Sequence, residues 1–205
     1  MPSTAFNPIF LLVAGPAGSG KTTLCERLVA THSGVERVIT ATTRPKRPGE
    51  IDGVHYFFLS EAEFDERLAR GQFLEWAVVH GRYRYGTLQQ AVRDRLSAGV
   101  NLVMNIDVQG VRSLQQVAKN DLLLRRALVT VFVAPTAPEE LRTRLRKRGD
   151  DPDEIARRMQ TAESELREAH AFDYVVISRT REEDFAAFQA IWETVQQRAI
   201  AASNG

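Results

Sequence analysis

Residues 9–24 read "IFLLVAGPAGSGKTTL", and this stretch decides the fold. Ile9 to Ala14 form a continuous apolar run that ends in glycine, the pattern of a parallel strand buried on both faces. Residues 15–22 fit G-x-x-x-x-G-K-[ST]. Leu24 and Leu28, four apart, put the start of a helix near Gly20. Strand, glycine loop and helix in this order is the setting in which such a loop wraps nucleotide phosphates. Gly15, Gly18 and Gly20 let the backbone turn its N–H groups inward, where a Cβ would resist. The helix N-terminus adds partial positive charge. The expected phosphate cradle is Gly15, Pro16, Ala17, Gly18, Ser19, Gly20, Lys21, Thr22 and Thr23. Lys21 can reach the terminal phosphates and Thr22 can hold Mg²⁺.

The rest of the chain repeats the alternation. Strands are expected at 35–40, 54–59, 72–79, 81–87, 100–107, 127–134 and 173–178. Capping boxes at Ser60/Glu63, Thr87/Gln90, Thr136/Glu139 and Thr180/Glu183 open helices. Asp151, Pro152 and Glu154 open another, striped by Ile155, Met159, Ala162 and Leu166. The last residues, 201–205, read as a frayed tail. Strands alternating with helices predict an α/β fold, a mostly parallel sheet with helices on both faces. Residues 40–87 are strand-rich and break the rhythm, so they read as an insertion.

At 205 residues, 43% hydrophobic and 26% charged, the chain suits one α/β domain. A net charge of +1 excludes a general nucleic-acid binder, so any anion site must come from local clustering. The single cysteine, Cys25, allows no internal disulfide and fits a reducing compartment. No apolar run is long enough to span a membrane, and "MPSTAFNP" carries no basic side chain, which argues against a signal peptide. The expectation is a soluble cytoplasmic protein. No stretch marks an oligomeric interface.

A phosphate loop alone leaves kinases, GTPases, ATPases and signalling modules open. There is no N-K-x-D stretch to read guanine in the manner of a GTPase. Residues 40–50, "TATTRPKRPGE", bear on an acceptor. Arg44 and Arg47 flank Lys46 on a segment too proline-rich for a helix interior. Their guanidinium forks suit a phosphate monoester, and Tyr56 and Tyr85 can add hydroxyl donors. A solvated basic loop is the other reading of the same residues.

The chain resembles guanylate kinase. The resemblance rests on "GPAGSGKTTL" (15–24), "TATTRPKRPGEIDGVHYFF" (40–58), "FLEWAVVHGRYRYGT" (73–87), "NIDVQG" (105–110), "LRTRLRKRG" (141–149), "RRMQTAESEL" (157–166) and "DYVVIS" (173–178). These occur in family order over nearly the whole chain. The resemblance implies a single domain with a core at 5–39, 88–140 and 154–200 that binds ATP. It implies a GMP-binding subdomain at 40–87 and a short helical lid at 141–153. Arg44, Arg47, Tyr56 and Tyr85 would grip the GMP phosphate, with Glu50 as organiser. Thr40, Glu75, Thr87 and Asp107 would surround the guanine. Lys21, Arg144, Arg148 and Arg158 would be catalytic. Mg²⁺ would sit at Thr22, with waters held by Asn105 and Asp107. The implied substrates are ATP and GMP or dGMP.

Chemistry adds weight to the guanine assignment. Guanine presents N1–H and an N2 amino group on one edge, and one carboxylate such as Glu75 can accept both. Adenine would leave that acid unpaired, a mismatch that rejects an analogue by roughly 10⁴-fold. Five cationic side chains between Arg142 and Arg148 repel one another on two helical turns, and a polyanion would relieve this. The chain departs from the family pattern at four places. Asn105 replaces the first acid of "DID", Ser178 replaces an Asn near the adenine, Arg84 is an extra residue in "GRYRYGT", and the lid is one residue short. The insertion leaves Tyr85 as the phosphate ligand, with Tyr83 as the alternative. Two rival readings are a non-catalytic phosphopeptide-binding module and a P-loop kinase for another acceptor.

Overall fold

The structure is a computed structural model and describes residues 7–79, 81–147 and 149–203. In chain order the strands are β1 (Phe10–Ala14), β2 (Val35–Arg37), β3 (Ala41–Thr42), β4 (Phe57–Phe58), β5 (Phe73–Val79), β6 (Tyr83–Leu88), β7 (Asn101–Asn105), β8 (Leu128–Pro135) and β9 (Tyr174–Ser178). The helices are α1 (Lys21–Thr31), α2 (Glu61–Ala69), α3 (Gln89–Ser97), α4 (Val108–Ala118), α5 (Leu122–Ala127), α6 (Pro138–Lys147), α7 (Pro152–Arg167) and α8 (Arg181–Ser203).

Five strands form a parallel sheet in the order β2-β7-β1-β8-β9. β1 is therefore central, which explains why all five of its residues are apolar and buried. Its alternate residues serve opposite faces. Phe10, Leu12 and Ala14 pack with Met104 and Phe132 under α3, α4 and α5. Leu11 and Val13 pack with Val103 and Val133 against Leu28 of α1 and Phe188 and Trp192 of α8. A third, smaller cluster joins α6 to α7 through Leu141, Leu145, Ile155, Met159 and Ala162, with Ala17 of the glycine loop packed against it.

The segment that breaks the alternation builds a second sheet, in the order β4-β3-β6-β5. β3 pairs antiparallel with β6, and β6 with β5, so it is a mixed sheet laid beside the parallel one. The expected strand at 35–40 is shorter, because the chain leaves the first sheet after Arg37 and joins the second at Ala41. The expected strand at 54–59 shrinks to Phe57 and Phe58, preceded by a single bridge between Asp52 and Tyr56.

Two capping boxes are replaced by longer-range bonds. Leu88, not Thr87, is the N-cap of α3, and the Thr87 hydroxyl donates to Glu75 instead. Thr136 donates to the Ser178 carbonyl. The boxes at Ser60/Glu63 and Thr180/Glu183 form as expected. The end of the chain is helical through Ser203 rather than frayed from 201. α4 and α5 are helices that the capping signals left unassigned. Asp107 and Asp121 cap them by accepting the N–H groups of Gly110 and Leu124. Among the described residues no helix is long and apolar enough to cross a membrane.

Candidate active site

The loop after β1 lies at the carboxyl end of the central strand, where ligands bind in open α/β sheets. Gly15, Gly18 and Gly20 all take positive φ, at 135°, 85° and 98°. Gly15 is doubly constrained, because a Cβ there would meet the Val133 carbonyl oxygen at 2.3 Å. Gly20 caps α1 without a side-chain bond, which leaves the first turn of the helix to a ligand. Lys21 folds back across the loop and donates to the carbonyls of Gly15 (2.6 Å) and Pro16 (2.8 Å). Ser19 is fully buried in the loop and its hydroxyl has no partner, as expected of a group awaiting an acceptor or donor from outside. Thr22 and Thr23 are exposed on the first turn, and the Asn105 amide donates to the Thr22 hydroxyl at 3.4 Å.

Across from the loop, β3 and β6 assemble the basic site. Arg44 is 7% exposed, and each of its three guanidinium nitrogens makes one hydrogen bond. Nε donates to the Tyr85 hydroxyl (3.1 Å), Nη1 to the Pro45 carbonyl (2.8 Å) and Nη2 to Glu50 Oε1 (2.6 Å). The rings of Tyr56 and Phe58 lie within cation–π range of the guanidinium, at 5.4 and 5.7 Å. Glu50 Oε2 accepts the Arg47 backbone N–H at 2.7 Å. The Arg44 guanidinium holds the Glu50 carboxyl below the usual carboxylate range, and burial pushes the Tyr56 phenol up. Arg47 itself is exposed. The extra residue Arg84 points the other way. It pairs with Glu61 and with Asp65 (2.5 Å) and lies over the Phe64 ring at 4.6 Å. Arg84 thereby ties β6 to α2 and leaves Tyr85 on the Arg44 face, while Tyr83 lies under Arg82.

Glu75 and Thr87 face each other in the β5–β6 register. Glu75 is 8% exposed, and burial pushes its carboxyl up to about 7, with the charge of Asp107 adding to the rise. Asp107 caps α4 by accepting the Gly110 N–H at 2.7 Å. A Cβ at Gly110 would meet Ile106 Cδ1 at 2.4 Å, so the Ile106 side chain would have to move to admit one.

The glycine loop and this second site open into one cleft of about 710 Å³, lined by Gly15, Ala17, Lys21, Thr40, Tyr56, Glu75, Tyr85, Asn105, Asp107 and Arg158. Arg158 reaches it from α7, held by Glu154 Oε1 (2.7 Å) and Asp150 Oδ2 (3.3 Å). Arg144 does not line the cleft. It sits on the far side of the loop, with Nη1 donating to Ser178 Oγ (3.0 Å) and to the Gly18 carbonyl (3.4 Å). Arg148 lies outside the described residues. Sequence reasoning missed several cleft residues, among them Arg112 and Glu168 and, on α7, Glu165, whose carboxyl is pushed up by burial, partly offset by Lys21. The spacing of Glu165 from Arg158, seven residues and two helical turns, was the available signal.

A glycine loop at the head of the central strand, opening α1 and sharing a cleft with a second, mixed sheet, defines a P-loop protein. The guanylate kinase family model matches residues 7–195. The guanylate kinase of Symbiobacterium thermophilum is 37% identical over 193 residues, covering 94% of this chain and 88% of that one. That of Bifidobacterium longum is 44% identical over 171 residues, covering 83% and 86%. The crystal structure of guanylate kinase from Anaplasma phagocytophilum has the same fold, with a TM-score of 0.73 at 24% identity, over 95% of this chain and 87% of that one. The chain belongs to the guanylate kinase family.

Proposed function

We propose that the chain catalyses ATP + GMP ⇌ ADP + GDP by direct phosphoryl transfer, with dGMP as an alternative acceptor. The observation that carries this reading is the single cleft in which Lys21 of the glycine loop and the Glu75–Asp107 pair face the same space. The loop 15–23 holds the ATP phosphates. Arg44, with Tyr56 and Tyr85, takes the GMP phosphate, and Glu50 holds Arg44 ready through the bond at 2.6 Å. Arg47 joins them when the exposed loop closes on the anion. Thr40, Glu75, Thr87 and Asp107 read the base. Glu75 accepts from guanine N1–H and N2 as a carboxylate, while Thr87 fixes its orientation from behind.

The nucleophile is a phosphate oxygen that is already anionic near neutral pH, since a phosphate monoester has a second pKa of about 6. No general base is required. Catalysis is positioning and neutralisation of spread charge. Lys21 must leave the Gly15 and Pro16 carbonyls to meet the donor phosphates. Arg158 faces the cleft from α7, and Arg148 is assigned beside it by position in the chain. The lid at 141–153 closes over the donor, and Leu141 and Leu145 join it to Ile155, Met159 and Ala162 of α7. Closure excludes water, the competing acceptor.

The donor set fits Mg²⁺, which takes few protein ligands and keeps its waters and the nucleotide's phosphates. The neutral Thr22 hydroxyl stands beside the Asn105 amide, and among the described residues no group of three or more acidic, His or Cys side chains could form an all-protein cage. Thr22 would hold the ion, and Asn105 and Asp107 its waters. When bound it neutralises charge on the transferring group. A cytoplasmic location belongs to the same reading, supported by the single, buried Cys25.

A coupled assay of ADP release with GMP, dGMP, AMP, UMP and CMP tests the proposal. Turnover with GMP and dGMP alone is expected. Preference for AMP would sink the guanine reading, and no turnover at all would favour a binding module.

A further inference from the structure

Arg144 is surrounded by acceptors from the glycine loop, the end of β9 with the residue after it, and its own helix. Its Nη1 donates to Ser178 Oγ at 3.0 Å and lies 3.4 Å from the Gly18 carbonyl. Its Nη2 lies 3.4 Å from the Arg179 carbonyl and 3.7 Å from Glu140 Oε2. Ser178 is fully buried, and its hydroxyl donates to Asp184 Oδ2 at 2.7 Å. A serine hydroxyl has one proton. With that proton given to Asp184, only lone pairs face Arg144. Asp184 is itself 7% exposed, and its other oxygen accepts the Arg179 N–H at 2.5 Å. The carboxylate is thus pinned at both oxygens, in the first turn of α8 where the helix N-terminus favours negative charge.

We propose that Asp184 and Ser178 form a positioning relay that holds the Arg144 guanidinium against the back of the glycine loop. The inference rests on the proposed reaction, and itself places Arg144, one of the arginines that the family resemblance implies are catalytic, on the donor nucleotide. Ser178 stands where the family usually carries Asn, so the relay uses what this chain has at that place. A charge-assisted chain from a buried carboxylate through a hydroxyl fixes both the place and the tilt of the guanidinium. Without it, a partly exposed arginine regains rotamer freedom, and ATP must reorder it at each turnover. Glu140 offers Arg144 only a distant carboxylate on the same helix and does not define its tilt.

The test is a set of mutant cycles in the full chain. Ser178→Ala and Asp184→Asn are each measured alone and in the Arg144→Ala background, with ATP and GMP varied separately. Each single change is expected to lower kcat/KM for ATP by about tenfold and to leave KM for GMP unchanged, the cost of one charge-assisted hydrogen bond. In the Arg144→Ala background neither change should lower it further, a coupling that a general loss of stability would not produce. Effects that multiply with Arg144→Ala overturn the relay. A proportional rise in KM for GMP also overturns it. If Arg144→Ala alone keeps the wild-type kcat/KM for ATP, the donor assignment of Arg144 fails, and the relay fails with it. Urea denaturation of each variant separates loss of fold from loss of positioning.

Discussion

The Thr87 hydroxyl donates to Glu75 Oε1 at 2.5 Å, from a residue that is fully buried to one that is nearly so. This bond orients a cleft carboxylate whose charge is costly. Burial raises the Glu75 carboxyl from 4.5 to about 7 despite the stabilising hydrogen bond, so desolvation outweighs it.

The first prediction is a pH profile. Guanine needs the carboxylate form of Glu75. kcat/KM for GMP should therefore fall on the acid side of about pH 7, approaching tenfold per unit, and be flat above it. Glu75→Gln should move that acid limb down to the titration of the GMP phosphate, about 6, and remove most guanine selectivity. Stability moves the opposite way. The folded state holds the proton more tightly than the unfolded chain, so this group costs stability as pH rises from 4.5 to about 7. In the absence of ligand, Glu75→Gln should raise Tm above wild type at pH 8 and not at pH 4.

Arg44 makes three hydrogen bonds from three different nitrogens. A lysine has no such fork. Arg44→Lys and Arg44→Ala should both raise KM for GMP by roughly 30- to 100-fold, the value of one or two charge-assisted bonds. Neither should move KM for ATP by more than about twofold. Full rescue by lysine would show that only the charge matters.

Gly15→Ala places a methyl group 2.3 Å from the Val133 carbonyl oxygen at a φ of 135°. Both the clash and the backbone strain oppose folding. A loss of about 2 kcal/mol or more is expected in urea denaturation, with no ATP binding detectable by calorimetry.

Arg158→Ala removes an arginine that lines the cleft. Its charge should matter most where charge is redistributed. kcat should drop about 10³-fold, with KM for GMP changing little. Equal kcat with raised KM would assign Arg158 to substrate binding alone.

Asn105 touches the Thr22 hydroxyl with a neutral amide. Asn105→Asp adds a negative charge next to the expected ion. The Mg²⁺ concentration needed for half-maximal ATP affinity, measured by calorimetry, should fall severalfold.

What could be read in the sequence was local. The apolar run before Gly15, the spacing up to Lys21 and Thr22, and the reciprocal pair Ser60/Glu63 all specify their structure within four or five residues. Thr87 and Thr136 misled for the same reason. Each matched a four-residue cap, but its hydroxyl was claimed by a partner 12 or 42 residues away. α4 was obscured because Gly110 sits in its first turn, where a helix former is expected. The close approach of Ile106, invisible to any window on propensity, explains the glycine. The arginines of 142–148 and Arg158 read as one set of lid residues. Only three dimensions separate Arg158, inside the cleft, from Arg144, behind the loop.

β2 and β7 lie side by side in the parallel sheet, Val35 paired with Asn101, although the whole second sheet falls between them in the chain. The polypeptide thus leaves the parallel sheet, the frame of the fold, and returns to it at neighbouring positions. The segment from Thr40 to Leu88 can lengthen, shorten or be exchanged without cutting a strand of the frame. In evolutionary terms it is a cassette. Acceptor preference can drift within it while the machinery that handles the donor stays constant, and chimaeras joined at these two neighbouring strands are the natural way to move one acceptor's chemistry onto another's engine.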